Sequence, residues 1–145
     1  MTIRRAVLSD AARLAELSGD LGYPVDGEAM ARRLERLLAR PGESVLVAES
    51  ASGAVVGWLH GSEQELLESE RRCEILGLVV DPEYRGQGIG RRLVEAAERW
   101  ARGLGLEQIS VRSNVTRAES HAFYQRLGYV GAKTQHAYRK LLPPA

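Results

Sequence analysis

The chain is short of cysteine, lysine, aromatics and long apolar runs, and each shortage excludes something. One cysteine, Cys73, in 145 residues rules out an internal disulfide and any multi-cysteine metal site. The three histidines are scattered and form no metal-ligand motif, so no metal is expected. Nowhere do 18 consecutive apolar residues occur, and Met1-Thr2-Ile3-Arg4-Arg5 lacks the apolar run of a signal peptide. The expectation is a cytoplasmic chain with no membrane partner. Aromatics make up 6% and do not interleave with the arginines, while Lys+Arg 20 against Asp+Glu 19 leaves a net charge of +1. Neither feature suits a nucleic-acid partner.

What is present fits a single domain over 1–145, at 44% hydrophobic and 27% charged. The charge is unevenly spread: residues 1–70 carry net −5 and residues 71–145 net +6. Such a split suggests two surfaces for two kinds of partner.

Periodicity predicts an α+β order, β-α-α-β-β-β-α-β-α-β-β. Ile3 to Val7 reads as a strand, and Ser9 caps a helix with Ala11, Leu14, Ala15 and Leu17 on its apolar face. Asp26 caps a second helix carrying Met30, Leu34, Leu37 and Leu38, stopped before Pro41-Gly42. Ser44–Glu49 and Ala54–His60 read as a hairpin around Ala51-Ser52-Gly53, followed by a polar, acidic connector from Gly61 to Arg72. Cys73–Val80, the most apolar run, reads as a central strand ending at Asp81-Pro82. Ile89, Leu93, Ala96, Ala97, Trp100 and Leu104 recur at helical spacing, and Ile109–Arg112 reads as the next strand. Thr116-x-x-Glu119 fits a capping box for a helix running to Leu127. Tyr129–Ala132 and His136–Leu141 are expected to close the sheet.

The centre of the chain holds Arg85-Gly86-Gln87-Gly88-Ile89-Gly90, after a strand and opening a helix. Glycines allow close backbone approach, the free amides of a helix's first turn favour an anion, and Arg91 and Arg92 add cations. A Walker A loop fails for want of Lys. A dinucleotide Gly-x-Gly-x-x-Gly fails because its third glycine falls on Arg91.

Arg85-x-x-Gly88-x-Gly90 resembles the Arg/Gln-x-x-Gly-x-Gly/Ala motif of the GNAT superfamily of acyl-CoA-dependent N-acyltransferases. Leu78-Val79-Val80-Asp81-Pro82-Glu83-Tyr84 looks like that family's strand into the loop, and Phe123-Tyr124-Gln125-Arg126-Leu127-Gly128-Tyr129 like its helix end. The resemblance covers residues 73–130. It implies a mixed, mostly antiparallel sheet flanked by helices, with a splayed coenzyme cleft. It also implies that acetyl-CoA lays its pyrophosphate on the amides of Arg85, Gly86, Gln87, Gly88, Ile89, Gly90 and Arg91. Its pantetheine arm would pair with Leu78, Val79 and Val80 like an added strand, the backbone near Val80 polarising the thioester carbonyl.

The same resemblance casts Tyr124 as the acid for the departing thiolate; packing on the sheet is its other role. Glu74, four residues before Leu78, matches a glutamate base of the family's histone-modifying branch. Burial in an apolar strand suits a carboxylate to that task. The alternatives are a carboxylate salt-bridged to Arg71 or Arg72, or a water chain as base. Where the family commonly has Asn, seven residues before the tyrosine, this chain has Arg117, so Asn114 or Arg117 is expected to contact the coenzyme. Tyr23 and His60 are expected to line the acceptor site. The acceptor is an amine, with a small cationic molecule attracted by Glu63, Glu65, Glu68 and Glu70 favoured over a protein or peptide amine. A non-catalytic acetyl-CoA-binding module is the rival reading, and both monomer and homodimer remain open.

Overall fold

The computed structural model describes residues 1–20, 22, 24–112 and 118–145. The expectations placed on Tyr23, Asn114, Thr116 and Arg117 lie outside the described residues. The chain divides into two compact units, Met1–Arg112 and Ser113–Ala145.

The first unit contains β1 (Thr2–Arg5), α1 (Ala11–Asp20), α2 (Gly27–Leu38), β2 (Glu43–Glu49), β3 (Val55–Leu66), β4 (Ser69–Val80), α3 (Ile89–Gly103) and β5 (Ile109–Val111). Its five strands lie in sequence order, β1-β2-β3-β4-β5. The first three pairings are antiparallel and β4–β5 is parallel. The parallel pairing follows from the α3 crossover, which returns the chain in the direction of β4. The architecture is the mostly antiparallel α+β sheet that the sequence predicts.

The apolar stripes land where their spacing puts them. Leu14, Leu17 and Leu34 of α1 and α2 pack on Val45, Val47 and Val79, with Trp58 at the margin. The opposite sheet face is covered by α3, which buries Ile89, Leu93, Val94, Ala97 and Ala101. There Cys73, Ala101 and Leu106 form a cluster with Trp100, Leu104 and Ile109. Gly57 is needed at this face, since a Cβ would stand 3.0 Å from Val79 O and 3.3 Å from Ile89 and Leu93.

Three expectations are corrected. Ser9 does not cap α1; a single 3-10 turn over Leu8–Asp10 precedes the helix. Asp10 instead reaches back to accept the Val7 amide at 2.8 Å, an ionised carboxylate being a stronger acceptor than a hydroxyl. The stretch Gly61–Arg72 is not a connector. It forms the end of one long hairpin, with Glu63 opposite Cys73, Gln64 opposite Arg72 and Leu66 opposite Ser69. Ladder hydrogen bonds join main chains whatever the side chains, and Arg71 pairs with Glu63 across this end.

The third correction concerns the second unit. It holds α4 (Ala118–Arg126) and the segment after it. Residues 129–145 carry no strand, and Val130, Tyr138, Leu141 and Leu142 are exposed. The two closing strands expected over Tyr129–Ala132 and His136–Leu141 therefore do not form. A strand is held by its ladder and by one buried face, and this segment has neither.

Candidate active site

The glycine-rich loop leaves β4 through a capped turn. Asp81 Oδ1 accepts the Glu83 amide at 3.0 Å, and Pro82–Tyr84 makes one 3-10 turn. Gly86 and Gly88 then take φ of +79° and +76°, a left-handed conformation that only glycine adopts without strain. Gly88 is the N-cap of α3 and provides no side-chain cap. Arg92 N–H bonds Gly88 O, so the amides of Ile89, Gly90 and Arg91 have no acceptor within the helix. No acidic residue occupies that first turn. Arg85 and Arg91 are exposed beside it, Arg91 at 3.8 Å from Glu95, whereas Arg92 donates to Met1 O at 3.2 Å. Bare amides, the positive helix end and two cations make a mouth for an anion.

Among the described residues, the end of β4 that feeds this loop is paired on one edge only. β5 matches it at Cys73, Glu74 and Ile75 and no further, while β3 stays paired up to Val80. Asp81 N–H bonds Val56 O of β3, and main-chain direction alternates along a strand, which turns the amides of Leu78 and Val80 to the open edge. Leu76 is an extra residue between the pairs Ile75–Gly61 and Gly77–His60, a bulge at the point where β4 and β5 part. Gly77 lies under Trp58, whose ring would stand 2.7 Å from any Cβ there. Trp58 Nε1 is buried with no acceptor among the described residues.

A polar row crosses the sheet on the face shared with α1 and α2. Glu74 is 5% exposed, opposite Ser62 on β3 and Ser110 on β5. Ser110 Oγ donates to its Oε1 at 3.4 Å, with Arg112 at 3.5 Å and Arg72 at 3.8 Å from the same oxygen. Oε2 takes part in none of these contacts. Glu74 is thus an ion-paired carboxylate; its partners are Arg72 and Arg112, while Arg71 turns to Glu63.

His60 belongs to the same face, and its Nε2 pairs with Glu43 Oε1 at 2.9 Å. Glu43 Oε2 accepts Ser62 Oγ at 2.5 Å, and Gln64 donates to Ser62 at 3.0 Å. Glu43 was not singled out by the sequence, because only strand register brings β2 opposite Ser62. The segment Glu65–Glu70 stands at the hairpin tip instead. Glu70 lies four residues of strand, roughly 13 Å, from Glu74, and Glu63, opposite Cys73, pairs with Arg71.

In the second unit Tyr124 stacks edge-on between Phe123 and Tyr129, at 5.0 and 5.7 Å between ring centres. Burial pushes its phenol above the ordinary value, so it holds its proton at neutral pH. Gly128, at φ +91°, ends the helix, and Tyr129 N–H bonds Tyr124 O at 3.0 Å. Cys73 is fully buried against α3, with its thiol pushed up to about 11 by burial, which removes it as a nucleophile. Among the described residues no group of three or more His, Cys, Asp or Glu is placed to hold a metal ion, and no helix is long and apolar enough to cross a membrane.

Comparison with known proteins identifies the family. The model of the acetyltransferase (GNAT) family covers residues 11–129. The aminoglycoside N(6')-acetyltransferase type 1 of Stenotrophomonas maltophilia is 30% identical over 148 residues, covering 99% of this chain and 95% of that protein. The crystal structure of an aminoglycoside 6'-N-acetyltransferase from Acinetobacter baumannii superposes with a TM-score of 0.85 at 21% identity, over 98% of this chain and 99% of that one. A third, an aminoglycoside N-acetyltransferase in complex with CoA, gives 0.83 at 19% identity, over 97% and 100%. The chain belongs to the acetyltransferase (GNAT) family, and is an acetyl-CoA-dependent N-acetyltransferase.

Proposed function

We propose that the protein transfers the acetyl group of acetyl-CoA to a small cationic amine by direct attack in a ternary complex. The observation that carries this is the open edge of β4 running straight into the uncapped start of α3. Leu78 and Val80 offer main-chain hydrogen bonds to the pantetheine arm, with Val79 between them. The loop from Arg85 through Gly86, Gln87, Gly88, Ile89 and Gly90 to Arg91 takes the pyrophosphate. A direct transfer needs no acyl-enzyme, and the only cysteine is buried with its thiol protonated.

Three proton movements complete the chemistry. Glu74 Oε2, on the face of α1 and α2, accepts a proton from the acceptor's ammonium. The amine nitrogen then attacks the thioester carbon, whose carbonyl is polarised by the amide near Val80. The C–S bond breaks, Tyr124, by its motif the acid of the family, protonates the thiolate, and the second proton of the attacking nitrogen returns to the Tyr124 phenolate as the amide forms. His60 with Glu43 lines the acceptor side, and the carboxylates of Glu43 and Glu74, with the acidic residues at the end of the hairpin, favour a cation. Tyr23, Asn114 and Arg117 keep the roles the resemblance gives them, toward the acceptor and the coenzyme. The small-molecule amine acceptor is further supported by the aminoglycoside-acetylating relative.

The test is thiol release from acetyl-CoA against a panel of aminoglycosides, polyamines and basic peptides. Turnover on a small polycation supports the reading. Turnover on peptides alone makes it a protein or peptide acetyltransferase, and CoA binding with no turnover makes it a binding module. Glu74→Gln should abolish the basic-side rise of the pH–rate profile while CoA affinity is kept; an unaltered profile removes Glu74 as base.

A further inference from the structure

The exit of β4 is held by a residue far away in sequence. Arg13, in the first turn of α1, uses all three guanidinium nitrogens. Nη2 donates to Asp81 Oδ2 at 2.8 Å, Nε to Val55 O at 2.9 Å and Nη1 to Glu16 at 3.1 Å. Asp81 in turn accepts the Glu83 amide with its other oxygen and gives its own amide to Val56 O. Its carbonyl accepts Tyr84 N–H at 2.9 Å. Asp81 therefore joins α1 and the turn that starts the glycine-rich loop through its carboxylate, and the end of the β3–β4 ladder through its main-chain amide. Its side chain is 14% exposed and that of Arg13 32%, so water competes poorly for the pair.

We propose that Arg13 is a positioning residue for coenzyme binding: it fixes Asp81, and through Asp81 the turn that aims the Arg85–Gly90 loop. The inference rests on the reading that this loop takes the coenzyme pyrophosphate. Glycines at positive φ leave the loop free to adopt many conformations, and the energy of anion binding is kept only if the amides already converge. Neither Arg13 nor Asp81 need touch the coenzyme. A lysine at position 13 could satisfy Asp81 but not Val55 O as well, because its ammonium has no planar fork.

The test compares the wild type with Arg13→Met, Asp81→Asn and the double variant. Asp81→Asn keeps an oxygen for the Glu83 amide and removes only the charge that Arg13 meets. Calorimetry with CoA should show each single variant weakened about tenfold, and the double variant little weaker than either, as coupled partners behave. The KM for acetyl-CoA should rise more than kcat falls. Hydrogen exchange at the Tyr84 and Arg85 amides, measured without ligand, should quicken in each variant. A folded Arg13→Met with wild-type CoA affinity and unchanged exchange overturns the proposal, as do independent losses that add in the double variant. Asp81→Asn decides the matter if Arg13→Met does not fold. Should the wild type bind no CoA, the loop assignment fails, while the exchange data still decide whether Arg13 fixes the turn.

Discussion

Gly88 offers the sharpest perturbation, because conformational cost and ligand loss can be separated there. Its φ of +76° is left-handed, and an added Cβ would meet nothing within 4 Å. Gly88→Ala therefore costs about 1–2 kcal/mol from the backbone alone, with no clash to add. For a chain of this size that lowers Tm by roughly 3–7 °C. On the proposed assignment the Cβ also stands where the pyrophosphate would rest on the bare amides of Ile89 and Gly90. Losing two hydrogen bonds to a charged group, at about 1.5–3 kcal/mol each, weakens CoA by roughly 10²–10⁴-fold. Gly105 is the control, with φ +79° and equally open surroundings, but it follows α3 instead of opening it. Gly105→Ala should show the same fall in Tm and bind CoA as the wild type does. Thermal unfolding and calorimetry on both variants make the comparison. If Gly88→Ala is folded and keeps CoA affinity, or if Gly105→Ala loses it equally, the loop is not the anion site.

Tyr124→Phe keeps the ring contacts with Phe123 and Tyr129 and removes the proton donor, so kcat should fall about 10²–10⁴-fold with CoA affinity retained; equal losses of both point to packing. Asp10 is held below its ordinary carboxyl value of 3.8 chiefly by the hydrogen-bonded Arg4 guanidinium. Stability from this pair is complete above pH 3.8 and is lost as pH falls through the lower folded value. In Tm measured against pH, Asp10→Asn should be less stable than the wild type at pH 7, by about 1–3 kcal/mol, and the gap should close in acid; a constant gap refutes the linkage. Cys73, with its thiol near 11, should resist thiol reagents at pH 8 until the protein unfolds, and reaction at the rate of an exposed thiol contradicts its burial.

Residue order alone determined the local elements and the loop. The 3.6-residue recurrence of Leu14, Leu17, Leu34, Leu93 and Ala97 fixed which helix faces are buried. Gly86, Gly88 and Gly90 marked a loop whose backbone can approach a ligand closely, while the left-handed φ of Gly86 and Gly88 came only with the structure. The apolar run Cys73–Val80 marked the inner strand of the sheet. Elsewhere the local signal misled. Glu63, Glu65 and Arg71 read as a loop, but hairpin pairing between β3 and β4 depends on main-chain partners that polarity does not report. Tyr129–Ala132 has strand-forming residues, yet propensity without a paired edge makes no strand. Tertiary structure alone decided that β5 leaves β4 after Ile75, that Glu43 meets His60 and Ser62, and that Arg13 meets Asp81 across 68 residues. Each depends on register or on packing between distant segments, and such contacts leave no periodic trace in the chain that makes them.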